Sequence, residues 1–309
     1  MRLIRSPDKL PAEFRGGVAT IGNFDGVHRG HQAMLRRLRD RVDEFGGPGT
    51  VICFEPHPRE YFDPAGAPGR LTPLRDKVAT LSELRACDQL LCLAFNHSLA
   101  SMEAATFIQR VLVDGLGVRH LVVGDDFRFG RGRLGDASML RQAGRDHGFT
   151  VEATPTVNQD GQRVSSTWIR DALARGDLTQ AVLLLGRTYT LSGRVIRGDR
   201  IGRDLGFPTA NLPLPHRPAM EGIVVAEVVL PDGRLHPAVT SLGSRPTVNG
   251  KRPLLEVHLL DWKGDLYGRH LRVLFRHWLR GQVHFPTLED LRLQIARDVD
   301  DARDWFRSR

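Results

Sequence analysis

The chain has 309 residues, 44 of them Lys or Arg against 36 Asp or Glu, for a formal net charge of +8. Its 41% hydrophobic and 26% charged content is that of a globular chain and excludes wholesale disorder. No apolar run approaches the ~18 residues of a membrane span, and Met-Arg-Leu-Ile-Arg-Ser-Pro-Asp at the start holds no apolar core of signal-peptide length.

A length near twice ~150 residues favours two domains. Val18–Gly22 reads as a strand and His28 to Phe45 as the helix after it. Thr50–Glu55 is a second strand, and Pro73–Ala86 a helix with Leu74, Val78, Leu81 and Leu84 near 3.6 spacing. Leu90–Phe95, His120–Gly124 and Phe149–Thr154 are further strands, alternating with helices over Met102–Gly115 and Ala137–Gly148. Such alternation predicts βαβ crossovers and a parallel, Rossmann-like α/β sheet. Ser166–Arg175 and Leu178–Leu185 read as two closing helices. From Thr188 the strands shorten and turns multiply. Val224–Leu230 runs into the turn Pro231-Asp232-Gly233, and Leu254–Leu260 and Leu266–Phe275 flank a hairpin at Asp261–Asp265. A small antiparallel β-barrel is the expected second fold. A helix closes the chain, with a capping box at Thr287 and Asp290 and a core stripe of Leu288, Leu291, Ile295, Val299, Ala302 and Phe306. The expected modules are 1–186 and 187–309.

Forty basic residues are arginine; the lysines are Lys9, Lys77, Lys251 and Lys263. They are spread along the chain with no block of five or six, so the charge fits phosphate handling or compositional bias as well as nucleic acid. Cys53, Cys87 and Cys92 form no C-x-x-C pair, which predicts a reduced cytoplasmic protein with no disulfide framework or zinc site.

The string Ile21-Gly22-Asn23-Phe24-Asp25-Gly26-Val27-His28-Arg29-Gly30-His31 joins the first strand to its helix, at the sheet's carboxyl end where ligands bind. Its glycines permit close backbone approach to phosphate, and the helix N-terminus favours negative charge. His28 and His31 share a face and can donate to a polyphosphate in its transition state; a surface pair or part of a metal site are the other readings. The string resembles the G-x-F-D-x-x-H-x-G-H signature of cytidylyltransferase-like nucleotidyltransferases, which release pyrophosphate from a nucleoside triphosphate. Ser165-Ser166-Thr167-Trp168-Ile169-Arg170 matches their S-S-T-x-x-R. Phe54-Glu55-Pro56-His57-Pro58-Arg59, Leu71 to Lys77 and Val123 to Gly130 narrow the likeness to the FAD synthetase module of bacterial bifunctional riboflavin kinase/FAD synthetases. The resemblance implies that His28 and His31 stabilise the transferring α-phosphate. It implies that Gly22, Asn23, Asp25, Asp126, Arg163, Ser166, Thr167 and Arg170 line nucleotide and FMN sites. Gly130-Arg131-Gly132-Arg133-Leu134-Gly135 matches G-x-G-x-x-G but does not follow a strand directly, so it reads as a substrate-side loop and not a dinucleotide fingerprint.

In the second half, Gly198-Asp199-Arg200-Ile201-Gly202-Arg203 leads to Gly206-Phe207-Pro208-Thr209-Ala210-Asn211. Thr209 and Asn211 point the same way in an extended segment and suit Mg²⁺ or phosphate oxygens; an ordinary Gly-rich hairpin is the other reading. The string resembles the G-F-P-T-A-N motif of riboflavin kinases, which implies ATP and Mg²⁺ binding by Gly202, Arg203, Thr209 and Asn211. A kinase acting on an alcohol needs a base, and the resemblance places it at Glu256 in Leu254-Leu255-Glu256-Val257-His258-Leu259. The likeness also covers Gly243-Ser244-Arg245-Pro246-Thr247. Three positions depart from the family pattern: Ser241-Leu242-Gly243 for Asn-Ile-Gly, Val224 for an aromatic, and Gln282-Val283-His284-Phe285 for Glu-x-Lys-Phe. They bear on flavin affinity or loop closure.

The expected function is riboflavin phosphorylation to FMN and FMN adenylylation to FAD. Its substrates and products are ATP, riboflavin, FMN and FAD, with Mg²⁺ as cofactor. The expected partners are these small molecules, with no nucleic acid and no membrane; self-association is left open. A chain with one live module, and a basic RNA-binding or flavin-sensing module, are the rival readings.

Overall fold

The computed structural model describes residues 1–8, 10–198, 201–247 and 250–309. They form two compact units, one of residues 1–68 and 74–165, the other of residues 69–73 and 166–309.

The first unit is built on a six-stranded parallel sheet of β1 (Arg2–Ile4), β2 (Val18–Ile21), β3 (Gly49–Glu55), β4 (Gln89–Ala94), β5 (His120–Gly124) and β6 (Thr150–Thr154), in the order β1-β4-β3-β2-β5-β6. Alternate strand residues serve opposite faces. Ile52, Leu91, Leu121 and Val123 pack on one side, and Val51, Cys53, Leu90, Cys92 and Val122 on the other. Being covered on both faces is why these strands read as near-continuous apolar runs. Helices α1 (Arg29–Phe45), α2 (Pro58–Phe62), α3 (Leu74–Glu83), α4 (His97–Ala100), α5 (Ala104–Phe107) and α6 (Ala137–His147) complete the unit. The single helix expected over Met102–Gly115 is instead α5 running into a wider π-helical stretch, Ile108–Leu116. Ile108, Val111, Leu112 and Leu116 of this stretch are buried. A short hairpin of β7 (Asn158–Gln159) and β8 (Gln162–Arg163) follows the sheet.

Strand order reverses between β2 and β5, so the chain leaves these neighbours in opposite directions. That is the topological switch point where doubly wound sheets leave a crevice beyond their carboxyl ends. Gly22–Val27 follows β2 there and Asp125–Phe129 follows β5.

The second unit opens with α7 (Ser166–Ala174) and α8 (Leu178–Leu185). Its six antiparallel strands are β9 (Thr190–Arg194), β10 (Ala210–Pro213), β11 (Gly222–Val229), β12 (Leu235–Thr247), β13 (Gly250–Leu259) and β14 (His270–Arg280), ordered β10-β13-β12-β11-β14-β9, with α9 (Ile201–Asp204) before β10. An Ile196–Asn211 bridge joins the two ends into a nearly closed barrel. Register shifts at Ile223/Val224 and Val225/Ala226 add the local twist that closure requires. The expected strand Leu266–Phe275 begins later, at His270. Leu266 is buried from within the connecting loop, which is turned by Asp265 accepting from the Tyr267 N–H and by Gly268 at φ 73°.

The closing helix α10 is Leu288–Arg307, and Thr287 caps it by accepting from the Asp290 N–H at 3.1 Å. Val299 and Ala302 pack on barrel residues Ile223, Val225 and Val239, with Ile295 and Phe306 beside them. Leu288 departs from the expected stripe: in the first turn it is 65% exposed.

Candidate active sites

In the first unit the loop after β2 is held in a costly shape. Phe24 (φ 48°), Gly26 (φ 87°) and Val27 (φ 41°) all sit in the left-handed region, where a β-branched residue is an outlier. Phe24 and Val27 are fully buried and pin the loop from below. Lys77 of α3, itself buried, donates from Nζ to the Asn23 carbonyl at 2.6 Å. Strain concentrated in one loop and held by surrounding packing is characteristic of ligand-binding positions.

His28 is the N-cap of α1; its Nδ1 accepts from the His31 N–H at 3.3 Å. The two imidazoles stack 3.6 Å apart at 17°. A Cβ at Gly30 would lie 3.1 Å from the His28 ring, so that glycine lets the pair close. Asp25 is buried in the same loop. The Asn23 side-chain oxygen is buried and has no hydrogen-bond partner among the described residues, an uncompensated acceptor in the loop expected to meet ligand.

A cavity of about 680 Å³ opens beside this loop. Gly22 and Asn23 form part of its wall, Phe54, Phe62 and Phe95 another, and Asp126 to Gly130 with Arg133 a third. Phe95 meets Phe54, Tyr61 and Phe62 edge-on at 5.5–5.8 Å, while Phe127 and Phe129 stack at 5.5 Å. Arg163 donates to the Asp126 carboxylate at 2.7 Å and holds its pKa below the usual range against some loss from burial. Within Gly130 to Gly135, Arg131–Arg133 forms a short 3₁₀ turn with Gly130 and Gly132 at positive φ, not a helix opening on a strand.

Ser166, Thr167 and Arg170 lie on α7, within the second unit. There the Arg170 Nε donates to the Gly69 carbonyl at 2.7 Å. Asp199 and Arg200 of the Gly/Arg loop lie outside the described residues, and Ser244 to Thr247 contribute backbone pairing in β12.

Two pockets open in the barrel among the described residues. One, about 140 Å³, is lined by Gly202, Thr209, Ser241, Glu256, Leu291 and Ile295 among others. The other, about 210 Å³, is lined by Arg203, Thr209, Trp262 and Tyr267 among others. Thr209 belongs to both. Asn211 is buried on β10, and its Nδ2 donates to the Thr209 carbonyl at 3.3 Å. A Cβ at Gly198 would fall 2.7–2.9 Å from the Asn211 amide, so the Gly/Arg loop backbone runs directly against it. His258 Nδ1 donates to the Pro208 carbonyl, 2.9 Å away, and burial lowers its pKa. Among the described residues no cluster of three or more His, Cys, Asp or Glu could hold a metal.

Two of the three departures from the family pattern meet: Gln282 Nε2 donates to Ser241 Oγ at 3.1 Å. The third, Val224, is fully buried, and its carbonyl accepts from Thr240 Oγ1 at 3.0 Å.

The model of the FAD synthetase family matches residues 10–168, and that of the riboflavin kinase family residues 185–306. A bifunctional riboflavin kinase/FMN adenylyltransferase of Pseudomonas fluorescens is 52% identical over 98% of this chain and 97% of its own. The chain belongs to the bifunctional riboflavin kinase/FMN adenylyltransferase family. A second member, from Escherichia coli K12, is 46% identical over 99% of this chain and 98% of its own. A crystal structure described as a macrolide-efflux protein from Streptococcus pneumoniae shares the architecture over 98% of both chains, with a TM-score of 0.79 at 26% identity. In this chain no described helix is long and apolar enough to cross a membrane.

Within that family frame, the residues that the motif reading did not single out are Lys77, Phe62 and Phe95. Lys77 stood in the quoted Leu71–Lys77 string, and its burial is visible only once α3 is folded over the loop. Phe62 and Phe95 lie in no phosphate motif, and their sequence signal is no more than apolarity.

Proposed function

We propose that residues 1–186 form the adenylyltransferase module and 187–309 the kinase module of this bifunctional enzyme, with the following division of labour. The flavin ring of FMN occupies the 680 Å³ cavity between the Phe54/Phe62/Phe95 and Phe127/Phe129 walls, which offer flat aromatic faces to a planar ring. His28 and His31 at the α1 N-terminus hold the α-phosphate of ATP, and Gly22, Asn23, Asp25, Asp126, Arg163, Ser166, Thr167 and Arg170 supply the remaining nucleotide and FMN contacts. The FMN phosphate oxygen attacks the α-phosphorus; the bond to the β-phosphate breaks and pyrophosphate leaves. A phosphomonoester is mostly dianionic at pH 7, its second pKa being about 6, so the step requires alignment and charge stabilisation but no base.

In the barrel, riboflavin takes the pocket containing Glu256, and ATP takes the neighbouring pocket with Arg203 at its phosphates, its γ-phosphate reaching past Thr209 to Gly202 on the wall of the first. Glu256 removes the proton from the terminal ribityl hydroxyl as its oxygen attacks the γ-phosphorus, and ADP leaves. The observation carrying this reading is that Thr209 lines both pockets, as a residue at the transfer point must. Thr209 and Asn211 fit Mg²⁺: both offer neutral oxygens, and the Asn211 amide nitrogen is turned to the Thr209 carbonyl, leaving its oxygen as the donor. Held by Thr209 and Asn211, Mg²⁺ would supply neutralisation of the phosphate charge.

We place the enzyme in the cytoplasm, where ATP is available and where three free, buried cysteines need no oxidising compartment. Purified protein given riboflavin, ATP and Mg²⁺ yields FMN and then FAD, with pyrophosphate released only in the second step. Chromatography showing neither flavin nucleotide overturns the reading.

A further inference from the structure

Gln282 lies two residues beyond β14, on the segment leading to α10. Its Nε2 donates to Ser241 Oγ at 3.1 Å and to the Leu242 carbonyl at 3.2 Å. A Cβ at Gly243 would lie 3.1 Å from that nitrogen, so the amide rests on the bare backbone of Gly243. An amide nitrogen has two protons, and these two acceptors use both. Gln282 therefore meets Ser241 as donor, and Ser241 accepts.

Ser241 lines the pocket that contains Glu256. It is the direct cross-strand partner of Glu256 in the β12–β13 ladder, so the two side chains share a face. A hydroxyl has one proton to give and two lone pairs. With Gln282 occupying one lone pair, the hydroxyl keeps its proton available to give toward the cavity.

We propose that Ser241 is a flavin-positioning donor, oriented by Gln282, which gives its hydroxyl proton to an acceptor atom of riboflavin. This rests on the reading of that pocket as the riboflavin site. The pair fixes the direction of a hydrogen bond as well as its existence. A carboxylate at 282 can only accept, so it draws the Ser241 proton away from the cavity. An amide at 241 restores the supply, because it has one proton for residue 282 and one for the flavin.

The test is steady-state riboflavin phosphorylation by the full-length enzyme. S241A and Q282E each raise the riboflavin KM about fivefold to tenfold, the worth of one neutral hydrogen bond, with kcat within about twofold. S241N/Q282E lowers KM again. FAD synthesis from supplied FMN, unchanged in all three, reports that the chain is folded. Ile295→Trp, which fills the same pocket, tests the underlying reading: riboflavin binding must collapse. If I295W binds riboflavin normally, the pocket assignment fails and the Ser241 proposal with it. If I295W blocks binding but S241A keeps the wild-type KM, or if the double variant is no better than Q282E, the Ser241 proposal alone is overturned.

Discussion

Asn211 and Glu256 are direct cross-strand partners in the β10–β13 ladder. Ser241 flanks Glu256 from the other side. Residues paired across a ladder present their side chains on one face, about 5 Å apart. The row Asn211–Glu256–Ser241 therefore places the proposed metal and phosphate ligand, the base and the flavin donor side by side on the barrel wall.

Gly198 is the backbone that seats one end of this row. Gly198→Ala puts a methyl group 2.7–2.9 Å from the Asn211 amide atoms and forces that side chain to move. A displacement of this size at a phosphoryl-transfer site costs on the order of tenfold to a hundredfold in rate. Kinase kcat/KM for ATP falls accordingly, while FAD synthesis from FMN is retained. Wild-type kinase kinetics in G198A shows that Asn211 does not contribute.

Phe95 organises one aromatic wall of the larger cavity through its edge-on contacts with Phe54, Tyr61 and Phe62. Each such pair contributes about 0.5–1.5 kcal/mol beyond area burial. Phe95→Ala raises the FMN KM for adenylylation about tenfold or more, and the riboflavin KM of the kinase stays as it was. Equal effects on both flavin KM values contradict two separate flavin sites.

Much of this was legible in the sequence, and the exceptions share physical causes. The parallel strands were readable because burial on both faces leaves uninterrupted apolar runs such as Val18–Ile21. The Thr287 cap was readable because capping chemistry is local, whereas the His28 cap emerges only from the structure. By contrast, α2 has five residues, too few for periodicity, and is set by Pro58 in its first turn after the His57 cap. β1 has three residues and exists through pairing with β4, a partner far along the chain. The catalytic motifs were readable one string at a time. The Lys77–Asn23 contact, the Phe62–Phe95 wall and the Gln282–Ser241 bond each join strings distant in sequence, so only folding brings them into view.

His120 gives a pH dependence with a defined sign. It is buried at the start of β5, accepts or donates at Thr150 Oγ1 (2.6 Å), and stacks on Phe45 at 4.7 Å. Burial, reinforced by the nearby Arg41, lowers its pKa below the ordinary value of 6.5, although Glu152 pulls the other way. The unfolded chain therefore takes up this proton at a higher pH than the folded one. The stability contributed by neutral His120 is complete above about pH 6.5 and is lost as pH falls through the folded value, at no more than about 1.4 kcal/mol per pH unit. Chemical denaturation between pH 7.5 and 5 should show this decline, and His120→Gln should flatten it. An unchanged slope in that variant assigns the decline elsewhere.

In the proposed scheme one chain runs two independent chemistries, one with a base and one without. The most direct measurement is product formation by Glu256→Gln and His31→Ala, each supplied separately with riboflavin and with FMN, in ATP and Mg²⁺. Glu256→Gln loses FMN formation by a factor on the order of 10² to 10⁴, the usual worth of a general base, and still converts supplied FMN to FAD. His31→Ala does the reverse, accumulating FMN without FAD. Loss of both activities in either variant while it remains folded, or persistence of FMN formation in Glu256→Gln, contradicts two independent sites with Glu256 as the base.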